Sequence, residues 1–106
     1  MLRKEYATDK ELCTVTFELH SEVLAQSAYL CGDFNNWDRL SHPMNANDDG
    51  SFTLTLNLET GRLYRFRYLL DDSRWQNDRD ADGYEPNPFG SDDSILDLTL
   101  GNDDGE

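Results

Sequence analysis

Apolar and polar residues alternate along much of this chain with a period of two. That is the spacing of a strand with one buried face, and helical periodicity is nearly absent. In ELCTVTFELH, Cys13, Val15, Phe17 and Leu19 face one way while Thr14, Thr16 and Glu18 face the other. SAYLCG (27–32) is short, apolar and ends at Gly32. SFTLTLNL sets Phe52, Leu54, Leu56 and Leu58 against Thr53, Thr55 and Asn57. LYRFRYLL sets Tyr64, Phe66, Tyr68 and Leu70 against Arg65, Arg67 and Leu69. A last strand, SILDLTL, sets Leu96, Leu98 and Leu100 against Ile95, Asp97 and Thr99.

Turn residues separate these runs. NDDG (47–50) and ETG (59–61) are tight-turn signals, and DDS (71–73) joins the arginine-bearing strand to a short one at 75–77. Residues 78–90, with Pro86 and Pro88, read as a long irregular loop. Six to eight short strands, each with one apolar face, predict an all-β fold of two packed antiparallel sheets, a β-sandwich. The expected division is a lead-in over 1–10, the sandwich over 11–100, and an acidic tail, GNDDGE, over 101–106. That tail has no apolar side chain to bury and is expected to be disordered.

Charge narrows the partners. Nine Lys and Arg face 22 Asp and Glu, a net charge of −13 over 106 residues. Such a field repels nucleic acid and anionic membranes. No apolar run approaches the roughly 20 residues of a membrane span, and no apolar segment follows the basic residues of the first twelve. The expectation is a cytoplasmic domain. Cys13 and Cys31 are too few ligands for a structural zinc site; they read as buried free thiols, with a cross-strand disulfide as the alternative.

Candidate chemistry centres on two tryptophans in polar, turn-like settings, GDFNNWD (32–38) and DDSRWQND (71–78). An indole with few apolar neighbours in sequence either packs back on the core or offers its face to a flat ligand. Asp78-x-Asp80-x-Asp82-Gly83 copies the opening of a calcium-binding loop. However, the twelfth position is Phe89 instead of a bidentate acid and neither flank is helical, so a solvated acidic loop is the expectation. His20 and His42 have no nucleophile pattern beside them, no cofactor motif is present, and the domain reads as a non-enzyme.

Several of these residues, in order, resemble the glycogen-binding module family found before the catalytic barrel of isoamylases and glycogen branching enzymes. The same family includes a module of the AMP-activated protein kinase β subunit. The matching stretches are YLCGDFNNW (29–37), Pro43-Met44, DGSF (49–52), GRLYRFRY (61–68) and PNPFG (86–90), with the closing strand from Ser94. The resemblance implies an immunoglobulin-like β-sandwich of the early-set type, binding glycogen or another α-1,4-glucan. It implies that Trp37 and Trp75 stack on glucose rings, Arg67 supplies the basic contact, and Phe89 an apolar one. Ser91 and Asp93 would then bond sugar hydroxyls, while Asn35 and Asn36 shape the turn presenting Trp37.

The sequence departs from the pattern in three places. The hairpin tip reads Asp71-Asp72, Trp75 sits one residue farther along than in the kinase subunit, and Asp93 replaces an asparagine. A one-residue slip turns a strand side chain to the opposite face, so Trp75 stands between ligand and core. A shallow glucan site implies about −4 to −7 kcal/mol of binding energy, millimolar to about ten micromolar. The rival reading is a protein-interaction module docking on an enzyme of glycogen metabolism, its glucan face degraded.

Overall fold

The computed structural model describes residues 2–71 and 73–99. Its strands are β1 (Leu2–Tyr6), β2 (Leu12–Leu19), β3 (Ala28–Gly32), β4 (Asn45–Ala46), β5 (Phe52–Glu59), β6 (Leu63–Leu70), β7 (Arg74–Gln76), β8 (Gly83–Pro86) and β9 (Asp92–Asp97). Two single-turn 3₁₀ helices, Ser21–Val23 and Asp33–Asn35, interrupt them, and no α-helix occurs among the described residues. One sheet runs β1-β2-β5-β4; the other runs β3-β6-β9-β8, with β7 beside β9 on the same edge of β6. All pairings are antiparallel. The two layers form the immunoglobulin-like sandwich.

The alternation explains the core. Cys13, Val15, Phe17 and Leu19 of β2 meet Tyr64, Phe66, Tyr68 and Leu70 of β6 across the interlayer space, with Leu30, Phe52, Leu96 and Leu98. Phe17 and Phe66 pack edge to face at 5.2 Å, and Phe66 and Tyr68 at 5.7 Å. Cys13 and Cys31 are buried free thiols on strands of different sheets. Burial pushes the Cys31 thiol up to about 11, which keeps it protonated and unreactive.

Three expectations change. The stretch expected as a lead-in holds a strand: Leu2–Tyr6 pairs along β2 from Leu2 opposite Phe17 to Tyr6 opposite Cys13. The loop expected over 78–90 holds β8, which pairs with β9 from Gly83 opposite Ile95 to Pro86 opposite Asp92. Pro86 is tolerated because β8 is an edge strand, whose outer side needs no ladder donor. With β1, β8 and the two-residue β4 the described strands number nine, one above the expected range. Leu100 and the tail expected over 101–106 lie outside the described residues.

One polar network lies inside the second layer. Asp78, only 1% exposed, takes the Tyr68 hydroxyl at 2.6 Å and the Asp80 amide at 2.7 Å. Its own amide donates to Ser94 Oγ at 3.0 Å, and Ser94 Oγ donates to Asn77 Oδ1 at 2.8 Å. The Tyr84 hydroxyl donates to the Asp78 carbonyl. Burial, then the Asp78 charge, holds the Tyr68 phenol well above its ordinary range. These bonds tie the segment after β7 to β6, β8 and β9 at once. Tyr68→Phe leaves a buried carboxylate short of a donor, and a loss of about 1–3 kcal/mol in urea unfolding is expected.

Asp97 carries a different cost. The Thr99 hydroxyl at 2.6 Å and amide at 2.9 Å, then nearby Lys4, hold its carboxyl below the usual carboxylate range. A depressed folded-state pKa stabilises above the unfolded value, about 3.9, and that contribution is lost as pH falls below it. The melting-temperature gap between wild type and Asp97→Asn is therefore expected to be widest near neutral pH and to close as pH falls through the lowered folded-state value.

Candidate functional site

The turn after β3 presents the first indole. Asn35 Oδ1 accepts the Gly32 amide at 3.0 Å, and Asn35 Nδ2 donates to the Leu30 carbonyl at 3.0 Å and toward His42 Nδ1 at 2.8 Å. The 3₁₀ turn then exits through two left-handed residues, Asn36 at φ 55° and Trp37 at φ 60°. Asparagine accepts that conformation readily; a bulky indole does so only when its surroundings impose it. Asp33 helps impose it, with Oδ1 3.3 Å from Trp37 Nε1 and Oδ2 taking the Arg65 amide at 2.9 Å. Asn35 thus shapes the turn through its side chain, and Asn36 through its backbone.

The second indole comes from β7. Trp75 pairs opposite Leu69, which shares a face of β6 with Arg65 and Arg67. That face points out of the sandwich, so Trp75 stands beside the arginines and away from the core. Leu69 is nonetheless 2% exposed, because its register partners on the two sides are Tyr29 and Trp75. The Trp37 and Trp75 ring centroids lie 6.5 Å apart with planes inclined at 67°.

The β8–β9 turn forms the opposite wall. Asn87 Oδ1 accepts the Phe89 amide at 2.9 Å and the Ser91 amide at 3.2 Å, and Gly90 closes the turn at φ 87°. Phe89 is left at the tip, 90% exposed. Together these parts enclose an open groove of about 650 Å³, lined by Trp37, Trp75, Arg67, Phe89, Ser91 and Asp93 with Arg39, Arg65, Asn87 and Pro88. All six residues singled out from the sequence therefore meet in one place.

Their roles in the unliganded site differ in detail. Arg67 Nη1 reaches Ser91 Oγ at 3.4 Å, while its Nε is buried with no hydrogen-bond partner. Asp93, 6% exposed, lies on the outer face of β9 at the groove wall, covered by its partners: its oxygens accept from Arg65 Nη1 at 3.1 Å and Asn87 Nδ2 at 3.0 Å. It holds two wall residues while itself lining the groove. Arg65, also bonded to Glu85 at 2.9 Å, Asn87 and Arg39 were not singled out. Arg65 could have been, since it lies two residues from Arg67 on the same strand face.

The acidic run after β7 is engaged elsewhere. Asp78 sits in the buried network, and Asp82 Oδ2 accepts from Lys4 at 2.7 Å and from the Asp97 amide at 2.7 Å. Among the described residues no group of three or more His, Cys, Asp or Glu is placed to hold a metal ion. No helix among them is long and apolar enough to cross a membrane.

Gly32 is the tightest point beneath the groove. A Cβ there would lie 2.5 Å from the Arg65 carbonyl oxygen and 2.8 Å from the Phe34 ring. Gly32→Ala is expected to cost about 1–3 kcal/mol in urea unfolding and to shift the indole emission, because the Trp37 turn must move.

Similarity to known proteins places the chain in a family. A 34-residue stretch is 53% identical to a 1,4-alpha-glucan-branching enzyme of Saccharomyces cerevisiae (strain ATCC 204508 / S288c), covering 31% of this chain and 5% of that protein. The family described as carbohydrate-binding module 48 (isoamylase N-terminal domain) matches residues 5–84. The match takes in both tryptophans, Arg39, Arg65 and Arg67 and stops short of the Asn87–Asp93 wall. The chain belongs to the carbohydrate-binding module 48 family.

Proposed function

We propose that this domain binds an α-1,4-glucan, such as glycogen or a maltooligosaccharide, in the groove between Trp37, Trp75 and the β8–β9 turn. The observation that carries the reading is the pair of indoles, 6.5 Å apart and inclined at 67°. An α-1,4 linkage curves the chain, so successive glucose rings present their apolar faces at an angle. A flat β-1,4 chain would call for coplanar platforms. The axial C–H bonds of glucose suit the negative face of each indole.

Polar contacts set the register. Arg67 and Ser91 bond sugar hydroxyls, Phe89 covers an apolar edge, and Asp93 acts through Arg65 and Asn87, which it holds. The ligand is neutral, so the net charge of −13 does not oppose it. The domain itself is read as non-catalytic, localising itself or a larger protein on the polymer. Free thiols at Cys13 and Cys31 suit a reducing compartment, and we place it in the cytoplasm.

Calorimetric titration with maltoheptaose and β-cyclodextrin tests this. Wild type is expected to saturate with a Kd between about ten micromolar and a few millimolar. Trp37→Ala and Trp75→Ala, each still folded by circular dichroism, are expected to bind at least about tenfold more weakly. Absence of heat from the wild type up to several millimolar sugar overturns the reading. The second reading, a docking module for an enzyme of α-glucan metabolism, rests on the exposed Phe89 at the groove rim, and it predicts that result.

A further inference from the structure

We propose that the groove prefers a glucan carrying a phosphate monoester, with Arg39 and Arg67 as its anion-binding pair. The inference rests on the glucan reading above and names the form of polymer that the site favours.

Acids outnumber bases by 22 to nine in this chain, so a guanidinium has carboxylates to choose from. Lys4, Arg74 and Arg79 each take one and Arg65 takes two, at 2.7 to 3.3 Å; Arg3, Lys10 and Arg62 take none among the described residues but do not line the groove. Arg39 and Arg67 take none among the described residues. Instead both converge on the Trp75 ring, with guanidinium carbons 5.6 Å and 5.4 Å from its centroid. The Nε of Arg67 is buried without an acceptor. The groove lining holds three arginines and a single carboxylate, Asp93, which Arg65 already occupies.

A neutral sugar does not need this arrangement. Hydroxyls are served by Arg67 and Ser91, and the charge of Arg39, on the bend between the Trp37 turn and Pro43, is then surplus. A phosphate monoester is close to dianionic at neutral pH and offers three strong acceptor oxygens, which two guanidinium forks can satisfy together. On a glucose bound in the groove, an ester near Trp75 would come within reach of the two guanidinium groups, which both lie against that ring. The charge of the whole chain does not forbid this. It repels an extended polyanion, but at physiological salt its reach is about 8 Å, so the groups at the groove set the local field: Arg39, Arg65 and Arg67 against Asp33, Glu85 and Asp93, of which Arg65 holds the last two.

The full chain is titrated with maltoheptaose, with maltoheptaose bearing phosphate at glucose C6, and with inorganic phosphate alone. At about 50 mM salt the phosphorylated sugar is expected to bind about five- to twentyfold more tightly than the neutral one. That ratio is expected to fall below about twofold in Arg39→Gln, to survive in Arg39→Lys, and to shrink at about 500 mM salt. A ratio near one with neutral binding intact overturns the inference and leaves the glucan reading standing; loss of both overturns both. A ratio unchanged in Arg39→Gln overturns the assignment of the pair. Inorganic phosphate, or an acidic peptide, binding as tightly as the phosphorylated sugar also overturns it, since the site would then be a general anion site.

Discussion

The buried Asp78 network is what the rest of the site depends on. β7 is three residues long and pairs with β6 only at its end, so ladder bonds alone hold it weakly. A carboxylate with no water around it must collect donors, and Asp78 collects them from Tyr68 on β6 and from the turn that follows. Its backbone reaches Ser94 on β9 and Tyr84 on β8. The segment leaving β7 is thereby fastened to three neighbours, and Trp75, three residues earlier, takes its place on the outer face. Removing one partner from such a network costs more than the bond itself, because the group left behind stays dry.

The groove joins parts whose stability comes from different sources. Trp37 rides on a turn held by side-chain bonds from Asn35 and Asp33, Trp75 on a short strand held by the buried network, and Phe89 on an Asx turn built by Asn87. None of the three is a long loop. Each aromatic is therefore positioned before any ligand arrives, and little ordering entropy opposes binding. The proposed glucan site would tolerate few such losses, since a shallow site has only a few kcal/mol to work with.

Charge is distributed against this background in an uneven way. Four of the nine basic side chains, Lys4, Arg65, Arg74 and Arg79, are matched to carboxylates among the described residues, and such pairs contribute little to stability where they are exposed. In the groove, Arg39 and Arg67 lie against the Trp75 ring without a carboxylate partner among the described residues. A strongly acidic protein can keep a local cationic groove because screening and geometry confine each interaction to its neighbours.

Much of this molecule was legible in the chain itself. Period-two alternation in β2, β5 and β6 identified strands and the buried face of each, because a strand's side chains have no other geometry available. Turn residues marked most boundaries, and Asn35 beside Asn36 marked the turn under Trp37. Three things were settled only by tertiary contact. β1 and β8 carry weak alternation and become strands because β2 and β9 offer them an edge, and edge pairing is supplied by a partner instead of by a pattern. Which face Trp75 takes depends on its register against Leu69, a pairing fixed by the buried network sixteen residues wide between Asp78 and Ser94. The convergence of Arg39 with Arg67 on one ring, and the bonding of Asp93 to Arg65 and Asn87, join residues from different elements. Local sequence carries propensity and spacing; it carries no distance between loops, and here that distance makes the site.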